Sequence, residues 1–160
     1  MDTRDEEHLR AAFAVARRSR EHGNHPFGAI LAGPDGERLL EAENTVVTER
    51  DCTGHAETNL VREASRRYDR DFLAGCTLYA STEPCAMCAA ATYWANVRRV
   101  VFGLDEATLG ELTGDDPENP TLSLPAARVL AAGRFPVAVI GPALREEARL
   151  DHEGFWHPRP

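Results

Sequence analysis

Two cysteines set three apart behind a proline, Pro84-Cys85-Ala86-Met87-Cys88, constrain this chain more than any other feature. At i and i+3 on a first helical turn the two thiols point the same way and can reach one ion. The helix start also favours their thiolate form, because its free N–H groups carry positive charge. A third ligand is needed, and His55 in Gly-His-Ala-Glu is the best placed, since it too would begin a helix. Catalytic zinc sites keep three protein ligands and leave the fourth position to water. Glu57, two residues beyond His55, then stands where a base is needed. A closed structural site is the alternative, with Cys52, Cys76 or His25 as the fourth ligand. A redox pair is a second alternative, but it leaves His55 and Glu57 without a purpose.

The rest of the chain supplies a frame for such a site. Residues 4–22 carry Leu9, Phe13 and Ala16 at helical spacing, and Gly23 ends the run. FGAILAG and RLLEAENTV flank Pro34-Asp35-Gly36, which predicts a β-hairpin. A helix over 55–68, a strand over 76–81, a helix over 85–96 and a strand over 98–104 follow. Residues 105–120 read as a loop, then come a helix at 123–132, a strand at 136–140 and a helix at 142–150. This order predicts an α/β fold: a three-layer α/β/α sandwich on a five-stranded mixed sheet. The helix before the last strand allows a crossover, so the last two strands should run parallel. The whole of 1–160 reads as one domain, with 151–160 as a C-terminal tail or lid.

His55-Ala56-Glu57 followed by Pro84-Cys85-Ala86-Met87-Cys88 resembles the signature of the cytidine deaminase-like superfamily, whose members are zinc hydrolases acting on aminated heterocycles. Pro26-Phe27-Gly28-Ala29, Asn44 and Arg99-Val100-Val101-Phe102-Gly103 extend the likeness over roughly residues 5–110. The resemblance implies one Zn²⁺ per chain on His55, Cys85 and Cys88, with Glu57 moving protons to the ring nitrogen and the departing amine. It also implies a pocket in which Asn44 bonds the substrate's polar edge and Phe27 forms a wall. Backbone groups around Ala56 and Ser81-Thr82-Glu83 would contact the ring. Asp105, Asp115 and Asp116 are the candidates for the aspartate that reads guanine's amino edge in guanine deaminases.

NHPFGAIL and YWANVRRVVFG look most like guanine and related free-base deaminases, and the C-terminal segment looks similar to fungal-type cytosine deaminase. The expected function is hydrolytic deamination of a small heterocycle: guanine, cytosine or a related aminotriazine or aminopurine. A tRNA-specific adenosine deaminase is the rival within the fold, and a non-catalytic zinc-stabilised binding module the rival outside it. The formal charge of −8 opposes a nucleic-acid partner, which normally meets a basic face. Arg17, Arg18 and Arg20, and Arg62, Arg66 and Arg67, read as solvated helix faces. No apolar run is long enough to cross a membrane, and a cytoplasmic protein is expected.

Two further expectations concern surfaces. Ala89, Ala90, Ala91, Tyr93 and Trp94 suit close packing in a homodimer, as the family resemblance also implies. In the tail, Phe155 and Trp156 are expected to cover the pocket, with Glu153 accepting a hydrogen bond from the substrate.

Overall fold

The computed structural model describes residues 1–157, so the last three residues of the expected tail lie outside the described part. The elements run α1 (Thr3–Glu21), β1 (Gly28–Ala32), β2 (Arg38–Glu43), α2 (Val46–Glu49), α3 (Ala56–Arg67) and α4 (Arg70–Ala74). They continue with β3 (Thr77–Thr82), α5 (Ala86–Trp94), β4 (Arg99–Leu104), α6 (Glu106–Thr113), α7 (Ala126–Ala131), β5 (Ala138–Ile140) and α8 (Arg145–Arg149). A short 3₁₀ turn, Leu150–His152, ends the series. The five strands form one mixed sheet in the order β2-β1-β3-β4-β5. β1 runs antiparallel to β2 and β3, while β3, β4 and β5 are parallel, as the crossover predicts.

The central strands are buried on both faces, which is why they read as nearly unbroken apolar runs. Alternate residues divide between two cores. Leu31, Leu78, Ala80, Val100 and Phe102 join Leu60, Ala64 and Ala89 of α3 and α5. Ile30, Tyr79 and Val101 face the other way, onto Leu9, Ala12 and Phe13 of α1. Gly28 begins β1 because α1 passes directly over it; any Cβ there would collide with the Ala12 carbonyl. These two packed faces fix the sheet, and the sheet places the ends of β3 and β4 side by side.

The structure differs from the sequence reading at residues 105–120. The first half of that stretch is a helix, α6. Asp105 caps it, its carboxylate accepting from the Thr108 amide at 2.9 Å, and Gly114 at φ +57° ends it. Glycine, proline and asparagine weigh on the average of the segment but mostly lie beyond Thr113. The short helices α2 and α4 also form where the sequence shows too few periodic positions to be read.

Candidate active site

His55 and Cys85 are the N-cap residues of α3 and α5, and neither side chain caps its own helix. A serine or aspartate there would spend its oxygen on the backbone; these side chains stay free. Cys88 lies one turn further along α5 and is fully buried. The three donor atoms lie within 4.8 Å of one another. His55 Nδ1 stands 3.5 Å from Cys85 Sγ and 3.4 Å from Cys88 Sγ.

Those separations fit zinc. Zn–S near 2.3 Å and Zn–N near 2.0–2.1 Å at a tetrahedral angle put sulfur and nitrogen about 3.6 Å apart. The protonation pattern agrees. Donation from Cys88, with further help from the His55 ring, pulls the Cys85 thiol down to about 4. Cys88, the donor of that pair, is pushed well above its ordinary value, and burial and the Glu57 charge add to this. A cation held by these three residues would take the place of the shared proton. Among the described residues no fourth side chain joins the cluster. Cys52 is exposed, and Cys76 is buried in the core with its thiol directed at the Phe72 carbonyl at 3.5 Å.

The cluster forms the floor of a cavity of about 360 Å³ at the C-terminal ends of β3 and β4. That is the usual place for ligands in open α/β sheets and within the usual size of small-molecule sites. Phe27, Val46, Met87, Leu109, Pro120 and Leu122 give it apolar walls. Asn44, Glu57, Thr82, Glu83, Glu106 and Glu118 give it polar ones. No arginine or lysine is among the described residues that line it.

Glu57 sits in the first turn of α3 and is only 6% exposed, with no arginine in ion-pair range among the described residues. Burial, with the neighbouring Cys85 charge second, pushes its carboxyl up to about 7. Asn44, almost fully buried, accepts from the Val46 amide through Oδ1 at 3.1 Å. That bond orients the amide and leaves Nδ2 to the cavity. Glu83 behaves differently. Both its oxygens are engaged, one by the Glu106 amide at 3.0 Å and one by the Ala126 amide at 2.9 Å. It ties the starts of α6 and α7 to the end of β3.

Of the expected site residues, the structure brings Phe27, Asn44, His55, Glu57 and Cys85 to the cavity, with Cys88 beneath. Ala56 and Ser81 are not on its walls. Ala56 is buried in the core behind α3, and the Ser81 hydroxyl accepts from the Gly28 amide at 3.0 Å. Thr82, the next residue on β3, lines the cavity instead.

The tail is also placed differently from the expectation. Trp156 packs against His25, Phe27 and His152, and its Nε1–H donates to His152 Nδ1 at 3.1 Å. The other ring nitrogen of His152 meets the Thr82 hydroxyl at 3.3 Å. Phe155 packs edge-on to His25, under the Arg20 guanidinium. Arg20 also donates to the carbonyls of Asp151 and Glu153 at 2.9 and 2.8 Å. His25 and Phe27 thus stand between these aromatics and the cavity, and Glu153 is exposed. The tail braces the wall from behind because its rings are already taken up there.

Sequence reasoning missed Glu106, and it offered His25 only as an alternative fourth zinc ligand, not as a wall of the cavity. Asp105 followed three residues later by Thr108 is a capping pattern that could have revealed α6, and with it Glu106. Asp105 is spent on that cap and on Arg145, Asp116 on the amides of Glu118 and His157, and Asp115 is exposed. None of the three lines the cavity.

The chain is similar to several known proteins. A probable cytosine deaminase of Schizosaccharomyces pombe is 39% identical over 156 residues, 98% of this chain and 94% of its own. A tRNA-specific adenosine deaminase of Aquifex aeolicus is 39% identical over 94 residues, 59% of this chain and 62% of its own. The structure of a guanine deaminase from Nitrosomonas europaea superposes with a TM-score of 0.74 over 91% of this chain and 80% of that one, at 22% identity. That last likeness is one of fold. The family model for the cytidine and deoxycytidylate deaminase zinc-binding region matches residues 2–104, and the chain belongs to that family.

Proposed function

We propose that this protein releases ammonia hydrolytically from a free, uncharged amino-substituted heterocycle of nucleobase size. One observation carries the reading: a buried carboxylate, Glu57, faces the three-ligand cluster in a cavity lined by acids and apolar groups, with no arginine among the described lining residues. Zinc, when bound by His55, Cys85 and Cys88, supplies a Lewis acid that makes water a stronger proton donor. Glu57 holds the proton given up by that water. It delivers it to the ring nitrogen beside the carbon under attack, and later to the departing amine. The net change is C(–NH₂)=N plus water giving C(=O)–NH plus ammonia. Asn44 Nδ2 donates to an acceptor on the ring, and Phe27 packs against its face.

The lining bears on the choice of substrate. A nucleotide or an anticodon loop brings phosphates, which need arginine or lysine nearby. Several members of the arginine clusters pair with acids, and none is among the described residues that line the cavity. Arg17 pairs with Asp151, Arg18 with Glu41 and Glu43, and Arg67 with Glu63. The similarity to tRNA-specific adenosine deaminases keeps RNA as the second reading. Ammonia release from free bases, nucleosides, nucleotides and tRNA separates the two. Turnover of a free base at least a hundredfold better, by kcat/KM, than of any phosphate-bearing substrate is expected; deamination of tRNA alone contradicts the proposal.

The same reading includes a homodimer through the outer face of α5. Trp94 is 73% exposed there, and Tyr93 stacks on Phe135 with ring centroids 4.3 Å apart. Ala89 is not part of that face, being buried in the chain's own core. Light scattering at micromolar concentration should give a dimer mass that falls to the monomer value in Trp94→Glu; a monomer mass for the wild type contradicts this.

A further inference from the structure

Four glutamates line the cavity, and three of them have a task. Glu57 faces the cluster. Glu83 has both oxygens on backbone amides. Glu118 is 67% exposed at its side chain and lies 3.5 Å from His25 Nε2. Glu106 has none. Its side chain is half-buried on the wall and makes no hydrogen bond or ion pair among the described residues. Its position is nevertheless held firmly. Glu83 grips its amide, and Asp105 caps the helix that it begins. Two residues thus spend side chains on fixing the backbone of a third whose own carboxylate faces the cavity.

We infer that Glu106 selects the substrate by accepting a hydrogen bond from an N–H donor that stays on the ring after the reactive amine has left. This deepens the reading of the cavity as a deaminase site and rests on it. The inference sets the substrate class. Asn44 Nδ2 offers a donor, Glu106 offers an acceptor, and Glu57 moves the protons. The complementary molecule is an amino heterocycle with a carbonyl or bare ring nitrogen for Asn44 and a second N–H for Glu106. A ring nucleoside that carries a sugar on that nitrogen loses the contact. The Glu106 carboxylate is half-buried and has no partner among the described residues, so the bond is worth most to ligands that supply a donor.

The test is a cycle of enzyme and substrate. Zinc-loaded wild type, Glu106→Ala and Glu106→Gln are assayed on the best base found among cytosine, isocytosine, guanine and 2,4-diaminopyrimidine. Each is also assayed on analogues in which one remaining N–H is methylated or replaced by carbon. Circular dichroism and zinc content check that the variants are intact. A hydrogen bond to a charged group is typically worth ten- to hundredfold in affinity, on the order of what the wild type should lose in kcat/KM when the donor is removed. Glu106→Ala should lose less than threefold on the same change, with the effect mainly in KM. Glu106→Gln, which keeps an acceptor oxygen, should recover part of the discrimination. An equal loss in wild type and Glu106→Ala for every analogue overturns the inference while leaving the deaminase reading intact. If the wild type releases ammonia from none of the bases, that reading fails separately, and calorimetry on the same pairs decides about Glu106. Donor-dependent binding present in wild type and absent in Glu106→Ala then upholds the inference. Equal affinities, or no binding at all, overturn it.

Discussion

Asp5 and Glu57 are both buried carboxylates, 3% and 6% exposed, at opposite ends of the same sheet. Their surroundings push them in opposite directions. Asp5 receives both Nη groups of Arg99 at 2.8 Å, the Tyr79 hydroxyl at 2.8 Å and the Asp2 amide at 3.0 Å. Those bonds, Arg99 first, hold it well below the usual carboxylate range. Glu57 has no cationic partner among the described arginines, and burial raises it to about 7. The fold gives one acid an arginine and a full set of donors and leaves the other without an arginine partner among the described residues. A satisfied carboxylate fixes α1 to β3 and β4; a buried one without an ion-pair partner, near neutrality, can take and return a proton. The difference separates a structural residue from a working one more clearly than burial does.

Metal removal should break the comparison most sharply. Dialysis against a chelator should reduce ammonia release to background, and Zn²⁺ should restore it, because the cluster then loses its shared cation. Turnover that persists in metal-free protein, checked by elemental analysis, contradicts the assignment of His55, Cys85 and Cys88.

The opposite end should respond in stability alone. Arg99→Met leaves Asp5 with part of its hydrogen bonds and no cation. Stranding one partner of a buried pair costs about 3 kcal/mol or more, which for a domain of this size lowers Tm by roughly 6–12 °C. The kcat of the folded fraction should stay within about twofold of wild type. A thermal melt and an assay at 20 °C check both halves; unchanged Tm refutes the structural role given to Asp5.

A smaller effect comes from His152, whose ring burial lowers to about 4. It accepts from Trp156 at Nδ1, so protonation there breaks a bond that holds the tail. The folded value lies below the unfolded value of about 6.5. Its contribution is therefore complete above pH 6.5 and is lost as pH falls toward 4. Between pH 7 and 5 the loss should be about 2 kcal/mol. Urea midpoints of wild type and His152→Gln over that range should show a steeper fall in the wild type. Parallel curves contradict it.

Much of this was legible in the sequence, for physical reasons that differ by region. The central strands β1, β3 and β4 read correctly because burial on both faces demands unbroken apolar runs. The cluster read correctly because zinc accepts few ligand types and helix starts restrict their spacing. What escaped depends on pairings far apart in sequence. Arg20 meets the carbonyls of Asp151 and Glu153 across more than a hundred residues, and no local pattern announces that. Trp156 looked like a lid because an aromatic tail has two equally good fates, over a pocket or behind its wall. Glu106 was hidden because α6 was hidden, and α6 depends on one capping aspartate within a stretch rich in turn residues.

The central claim is that Glu57 moves the protons and is buried without an arginine partner in order to do so. Glu57→Gln tests it, with zinc content, Tm and ammonia release measured on one preparation. One zinc per chain should remain, Tm should equal or exceed that of wild type because a desolvated charge has gone, and turnover should fall by at least about 10²–10⁴-fold. Activity within tenfold of wild type in a folded, zinc-loaded Glu57→Gln protein contradicts the account.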